Sequence, residues 1–345
     1  MAIGTDSFTR VAPANGGVYQ GTLGAYNVAW TGTRGNPGFT SIKFTPQFHN
    51  FANSASDTFS IVVSNFDANT TIMVQGKSSN TQETFSFLLS QTCGPQRHVY
   101  WTNAATDTIG RADVDGQNVN DSFITGANSP QGVAVDGTHI YFTNSGSFPG
   151  TIARADLDGQ NVNLSFITGT SDPRGLAVDG SHVYWTDLGT DTIGRADLDG
   201  QNVNNSFITG ANAPLAVTVD GSHVYWSNAF GASIGRADLD GQNVNQSFIT
   251  GAEGPGGVAV DGSHVYWTNG VPNTIGRADL DGQNVNQSFI TGANIPSGMA
   301  ADGSHVYWTN LGNPHTIGRA DLDGQNVNQS FITGSSYGAV AVDPE

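Results

Sequence analysis

The stretch Asp-Leu-Asp-Gly-Gln-Asn-Val-Asn stands at 156–163 and recurs letter for letter at 197–204, 238–245, 279–286 and 321–328; a copy at 113–120 differs only by Val114. Aspartates and asparagines bracketing a glycine have the oxygen-rich composition of a calcium loop. An EF-hand loop places Gly at its sixth position and a bidentate Glu at its twelfth. Counted from Asp156, the glycine comes fourth and the twelfth residue is Ile167, and the same count from every other copy also ends on isoleucine. Asp-Gly between two alternating segments is instead a hairpin signal, because glycine accepts a positive φ at little cost. The stretch reads as a turn.

The other chemically capable residues are absorbed in the same way. Six of the eight histidines (His98, His139, His182, His223, His264, His305) hold one place in each copy, as a packing or hydrogen-bonding element would; His49 and His315 stand outside the pattern. Arg and Asp two residues apart, as in Arg195 and Asp197, share a strand face and read as structural ion pairing or turn capping. Asn-x-Ser occurs in every copy, at Asn120, Asn163, Asn204, Asn245, Asn286 and Asn328. These fit the glycan-acceptor pattern but read here as strand-edge residues. The segments ending in Asp136, Asp179, Asp220, Asp261, Asp302 and Asp343 form a possible ring of six carboxylates able to hold a structural cation. Each is followed by Gly or Pro, which favours a turn role. No Ser-His-Asp order, Gly-rich phosphate loop or paired Glu is present, so the expectation is no catalytic residue and no cofactor.

These residues are carried by a repeat. Tyr100, Tyr141, Tyr184, Tyr225, Tyr266 and Tyr307 follow one another at intervals of 41 to 43 residues. Each unit reads as four short strands: GVAVD, HVYWT, TIGRADL and NQSFITG, with β-branched and aromatic alternation bounded by Gly, Asp and Asn. Four antiparallel strands at this period make a propeller blade. The first unit, from His98, lacks its own GVAVD strand, whereas GAVAVD at 338–343 has no HVYW behind it. The C-terminal strand is therefore expected to complete the first of six blades and close the ring.

HVYWTD at 182–187 with TIGRADLDGQN behind it resembles the YWTD repeat of low-density-lipoprotein-receptor-type six-bladed propellers. Only Asp187 completes the tetrad; Asn103, Asn144, Asn228, Asn269 and Asn310 stand at that place elsewhere. A more distant resemblance is to streptogramin-lyase-type propellers, which are enzymes. Lactonase-type propellers hold a metal on unlike residues of the inner strands, generally with a Glu, and the inner strands here are nearly uniform.

The fold class expected is all-β: a six-bladed propeller over 96–345, preceded by a small β-sandwich or jelly-roll-like domain over 1–95 with alternating segments such as DTFSIVVSNF and TTIMVQGK. That first domain is expected to attach the propeller to another copy, a fibre or a larger particle. The formal charge of −17 argues against nucleic-acid partners, which need Lys and Arg. No apolar stretch is long enough for membrane insertion. Cys93 is the single cysteine, which excludes an internal disulfide. The start, MAIGTDSFTRVAPANGG, has no basic and apolar pattern of a classical signal; a cell-surface, fibre or particle location is expected. Near-identical copies point to recent internal duplication, as in a bacterium or its phage.

Comparing the copies locates function. The links between strands one and two and between strands three and four hardly vary. Those between two and three, and from four into the next blade, vary freely, and in an up-and-down blade they emerge on one face. Loops on a rigid scaffold carry specificity. The candidate binding residues there are Phe148, Asp172, Arg174, Asp187, Leu188, Phe230, Glu253, Ile295, Leu311, His315 and Tyr337, suited to a protein or glycan partner. The reading is a non-enzymatic adhesion, receptor-binding or assembly module; the alternatives are a streptogramin-lyase- or lactonase-like enzyme and a carbohydrate-binding lectin.

Overall fold

A computed structural model describes five strands before residue 91, then residues 97–334 and 338–344. The chain divides into two compact units, Met1–Gln96 and Arg97–Glu345. In the first, Val28–Ala29, Thr40–Phe44 and Phe59–Val63 pair antiparallel in that order, and Thr71–Lys77 pairs with Thr84–Ser90. The sandwich or jelly-roll packing expected of this unit rests on residues outside those described.

The second unit is a six-bladed propeller. Blade 3 shows the pattern: Pro173–Val178, His182–Asp187, Thr192–Asp197 and Asn204–Thr209 form one antiparallel meander. Blades 2, 4, 5 and 6 repeat it from Val133, Pro214, Pro255 and Pro296. Blade 1 takes its innermost strand from the other end of the chain, Val340–Val342 pairing antiparallel with His98–Asn103. Arg97 reinforces the seam: its guanidinium donates to the Asp343 carbonyl and to the Asp302 carboxylate, and His98 N–H donates to Asp343 Oδ2 at 2.8 Å. Closure by the C-terminal strand is as the leftover strand foretold.

The second strand of every blade is buried on both faces. Alternation sends Tyr184 to one side and Val183 and Trp185 to the other. Tyr184, Ile193 and Ile208 of blade 3 pack against Val224, Trp226 and Ala237 of blade 4. The same cluster forms at every junction, including Tyr307, Ile317 and Ile332 of blade 6 against Val99, Trp101 and Ala112 of blade 1. Each Trp or Tyr so buried removes on the order of 150–250 Å² from water.

Blade 2 differs at three positions at once. Elsewhere Trp lies across from a glycine, as Trp185 across from Gly194, and a Cβ built on Gly194 would sit 2.1 Å from the indole. The indole N–H of Trp226, Trp267 and Trp308 donates to a glutamine on the fourth strand, Gln246, Gln287 and Gln329. In blade 2 the three become Phe142, Ala153 and Leu164: the smaller ring admits the methyl, and the lost donor no longer wants an acceptor. Blade 3 is intermediate, with Asn205 too short to reach; Trp185 Nε1 and Asn205 Oδ1 are both buried without a partner. Gly194→Ala alone is expected to destabilise by about 1–3 kcal/mol through overpacking. Adding Trp185→Phe and Asn205→Leu should recover most of that loss, a coupling of about 1–3 kcal/mol in urea denaturation; additive effects would contradict the triad.

Candidate functional site

Hydrogen bonds assign the connections to faces. Leu198 N–H donates to the Ser181 carbonyl, joining the turn after strand three to the turn after strand one. Leu188 N–H donates to Asp172 O and Leu311 N–H to Ile295 O, joining the loop after strand two to the entry into the same blade. One face is therefore built of constant turns and the other of variable loops.

On the constant face, chemistry is spent on structure. In the Asp197 turn, Gly200 N–H donates to Asp197 O, Gln201 N–H to Asp199 Oδ1 and Asn202 Nδ2 to Asp197 Oδ2, with φ of 83° at Gly200 and 53° at Asn202. This is the hairpin expected of the octapeptide. Asp179 takes the N–H groups of Ser181 and His182 on Oδ1 and the Tyr184 hydroxyl on Oδ2. The equivalent carboxylates of blades 2, 4, 5 and 6 likewise accept their tyrosine, at 2.8–3.2 Å. Burial, then the neighbouring aspartate, pushes these tyrosines well above the usual phenol range. The repeat histidine of every blade but the second stands between two carboxylates, as His182 between Asp179 (3.7 Å) and Asp197 (3.8 Å), whereas His139 lies near Asp156 and the Thr138 hydroxyl. Among the described residues no three of His, Cys, Asp and Glu gather as metal ligands.

Of the two alternatives for the Arg/Asp pairs, turn capping holds for the aspartate and ion pairing needs correction. Arg195 does not pair with Asp197. Its guanidinium lies 4.1 Å over the Phe207 ring and donates to Leu239 O of the next blade at 3.0 Å. Every blade repeats this link, and Arg319 of blade 6 reaches Val114 O of blade 1. A stem alternation places Arg and Asp on one face; what it does not reveal is that the longer side chain crosses the blade junction.

The variable face separates the candidates. Phe148 and Phe230 are 84% and 86% exposed, and Ile295 is 51% exposed. Glu253 is exposed, and its backbone N–H is held by Asn269 Oδ1. Asp172 and Arg174 form an ion pair at 2.8 Å. Leu188, Leu311 and His315 are half-buried. Tyr337 lies outside the described residues. Asp187 is not a contact residue: it is 1% exposed, and its carboxylate accepts the N–H groups of Ser171, Asp172 and Gly189. The asparagines at the same place do similar work, Asn228 Oδ1 accepting Asn212 N–H while Nδ2 donates to Gln246 O. The tetrad's last residue thus ties the entry loop to the blade. Val271, 74% exposed, was missed; an aliphatic within the Gly-Val-Pro-Asn loop was the available signal.

Asp136 sets a pH response. Burial pushes its carboxyl up, but hydrogen bonds from the Thr138 hydroxyl, the His139 and Thr138 N–H groups and the Tyr141 hydroxyl outweigh this and hold it below 3.8. A lowered folded-state value stabilises the fold above the unfolded value, and that stabilisation is lost as pH falls through the folded one. Asp136→Asn is expected to be less stable than wild type at pH 7. The gap should close as the pH is taken below 3.8, read by urea unfolding across a pH series; a constant gap would contradict the assignment.

Residues 97–136 and 181–220 match the family described as low-density lipoprotein receptor repeat class B. Two of the six repeats thus match a receptor-type YWTD repeat. No curated protein matches the chain. Among solved structures, a chain of a nidogen/laminin complex is similar at 19% identity and a TM-score of 0.62, over 71% of this chain and 98% of that one. A streptogramin B lyase is similar at 20% identity and a TM-score of 0.51, over 67% of this chain and 78% of that one. At these identities the likeness is one of fold.

Proposed function

From a six-bladed propeller of YWTD repeats, we infer a non-enzymatic binding module that presents its variable loop face to a protein partner. The observation that carries the reading is the contrast between faces. The repeated aspartates, arginines and tyrosines described above are mostly engaged in holding strands and blades together, whereas Phe148 and Phe230, aromatics each present in one blade, stand almost wholly in solvent. Exposed aromatics on a rigid frame are the anchors of protein interfaces. A protein complex among the fold neighbours accords with this use of the architecture. The lyase neighbour shares the fold at 20% identity, which says nothing of chemistry.

Panned against a random-peptide display, the chain is expected to enrich peptides whose affinity falls about tenfold or more in the double variant Phe148→Ala/Phe230→Ala. Retention of glycans alone on a parallel glycan array, or peptides indifferent to every variable loop, would overturn the reading in favour of a lectin or another surface.

Residues 1–95 supply the attachment to a second copy or a larger particle in this proposal, which places the module on a cell surface, fibre or particle. Light scattering is expected to find the full chain self-associated and residues 97–345 monomeric; a monomeric full chain that also fails to join a particle sinks the attachment role.

A further inference from the structure

The exposed apolar side chains of the variable face are not spread evenly around it. Elsewhere among the described residues the exposed large hydrophobics are the valines of the repeated Asn-Val-Asn, each 38–44% exposed, and Leu164 at 41%. Besides Phe148, the more exposed ones among the described residues lie in successive blades: Phe230 in blade 4 (86%), Val271 in blade 5 (74%) and Ile295 at the entry to blade 6 (51%). The last two are tied together through their loops. Val271 N–H donates to Glu253 O at 3.4 Å, and a Cβ built on Gly254 would lie 3.7 Å from Val271 Cγ2. Ile295 N–H in turn donates to Asn273 Oδ1 at 2.9 Å. Glu253, Val271 and Ile295 therefore form one run across the junction of blades 5 and 6, with the Phe230 loop one blade behind.

Two further observations say what this run is for. Its charge is one-sided: in the loops 229–232, 251–254, 270–273 and 292–295, Glu253 is the single charged side chain, and it is exposed. The Asp172 carboxylate of blade 3, by contrast, is answered by Arg174 at 2.8 Å. Ile295 also sits at φ 53°, a region that β-branched residues avoid. The corresponding positions carry Ser129, Ala213 and Gly254, all at positive φ. A half-exposed side chain recovers little of that cost by packing, and the Asn273 hydrogen bond fixes the backbone that presents it. An apolar group held outward at a cost to the fold is pre-organised for contact.

We propose that the run from blade 4 to the entry of blade 6 docks a protein segment bearing an aromatic or aliphatic side chain and, close by in sequence, a lysine or arginine. The apolar group covers Phe230, Val271 and Ile295, and the cation meets Glu253. The chain's charge of −17 draws a basic segment in from a distance. This rests on the variable face being the binding face, and narrows it to one sector and one partner chemistry.

The test uses the full chain and amidated synthetic copies of peptides enriched from a random dodecapeptide display. The enriched peptides should pair a basic residue with a nearby aromatic or aliphatic one. Phe230→Ala and Ile295→Gly should each weaken binding by about tenfold or more, while Phe148→Ala leaves it unchanged. Glu253→Gln should weaken it several-fold and flatten its salt dependence. Ile295→Gly should fold with an unchanged or higher Tm, because glycine removes the backbone cost; this separates lost contact from lost structure. Peptides that depend on Phe148 or Arg174 but not on Phe230 and Ile295 would overturn the sector while leaving the face intact. Peptides indifferent to all the loops, or no enrichment at all, would overturn both. A change in self-association of the full chain on Ile295→Gly, without loss of peptide binding, would make a second copy the occupant and overturn the proposed one.

Discussion

The structure depends on a strand that no blade can bury alone. In each blade the His-Val-Tyr-Trp-Thr strand is closed to solvent on both faces, and each face is covered by a different neighbour. A row of such blades would leave a Tyr/Ile/Ile face bare at one end and a Val/Trp/Ala face bare at the other. Exposing aromatics of about 150–250 Å² apiece is prohibitive for a domain of ordinary stability. Joining the two ends removes both faces at once, and the Tyr307 cluster against Trp101 is that join. Arg adds a directed link to the non-directional one: stacked on its own phenylalanine, it donates to the next blade's carbonyl, from Arg111 to Leu157 around to Arg319 and Val114. Stacking and a charge-assisted hydrogen bond together favour one angular step between blades, and a fixed step closes at a fixed number.

The same demand explains how so many titratable groups are engaged in the fold. A buried tyrosine hydroxyl needs a partner, and the aspartate ending the inner strand supplies it while capping the turn beside it. A tetrad asparagine has both a donor and an acceptor to offer and uses both. Six repetitions of a largely satisfied network look, in a row of residues, like six metal or catalytic sites. Their geometry is that of fasteners. What the network leaves unclaimed is the loops it does not constrain, and these are where the blades differ.

The propeller was legible in the sequence because its period, its strand alternation and its displaced last strand are one-dimensional facts. The octapeptide was legible as a turn for the same reason: a missing glutamate and an Asp-Gly at hairpin spacing are counted, not seen. Contacts between blades were not legible. Arg195 and Asp197 share a face by alternation, yet the arginine finds its acceptor 44 residues away. Nor does position alone separate Asp187 from Asp172; both fall in variable stretches, and only the fold puts one under the loop as its hydrogen-bond acceptor and the other on top of it. Val271 was passed over because a valine beside glycine and proline looks like filler until its exposure is known.

Drift and selection leave different marks on a loop. A loop that varies because nothing constrains it should relax towards residues that suit its backbone: glycine, asparagine or aspartate where φ is positive. Asp107, Asp191 and Asn273 follow that rule, and each also accepts the N–H of the next entry loop, at Ser129, Ala213 and Ile295. Ser129, Ala213 and Ala232 depart from it with small side chains, and Ile295 departs from it with a β-branched one. A β-branched residue at φ 53° with half its surface in water is worse for the fold than the glycine that occupies the same place one blade earlier. Relaxation alone would not hold it there, and packing inside the propeller does not repay it. The contact proposed above is what would repay it, so this strained residue, more than the wholly exposed phenylalanines, is where that proposal stands or falls.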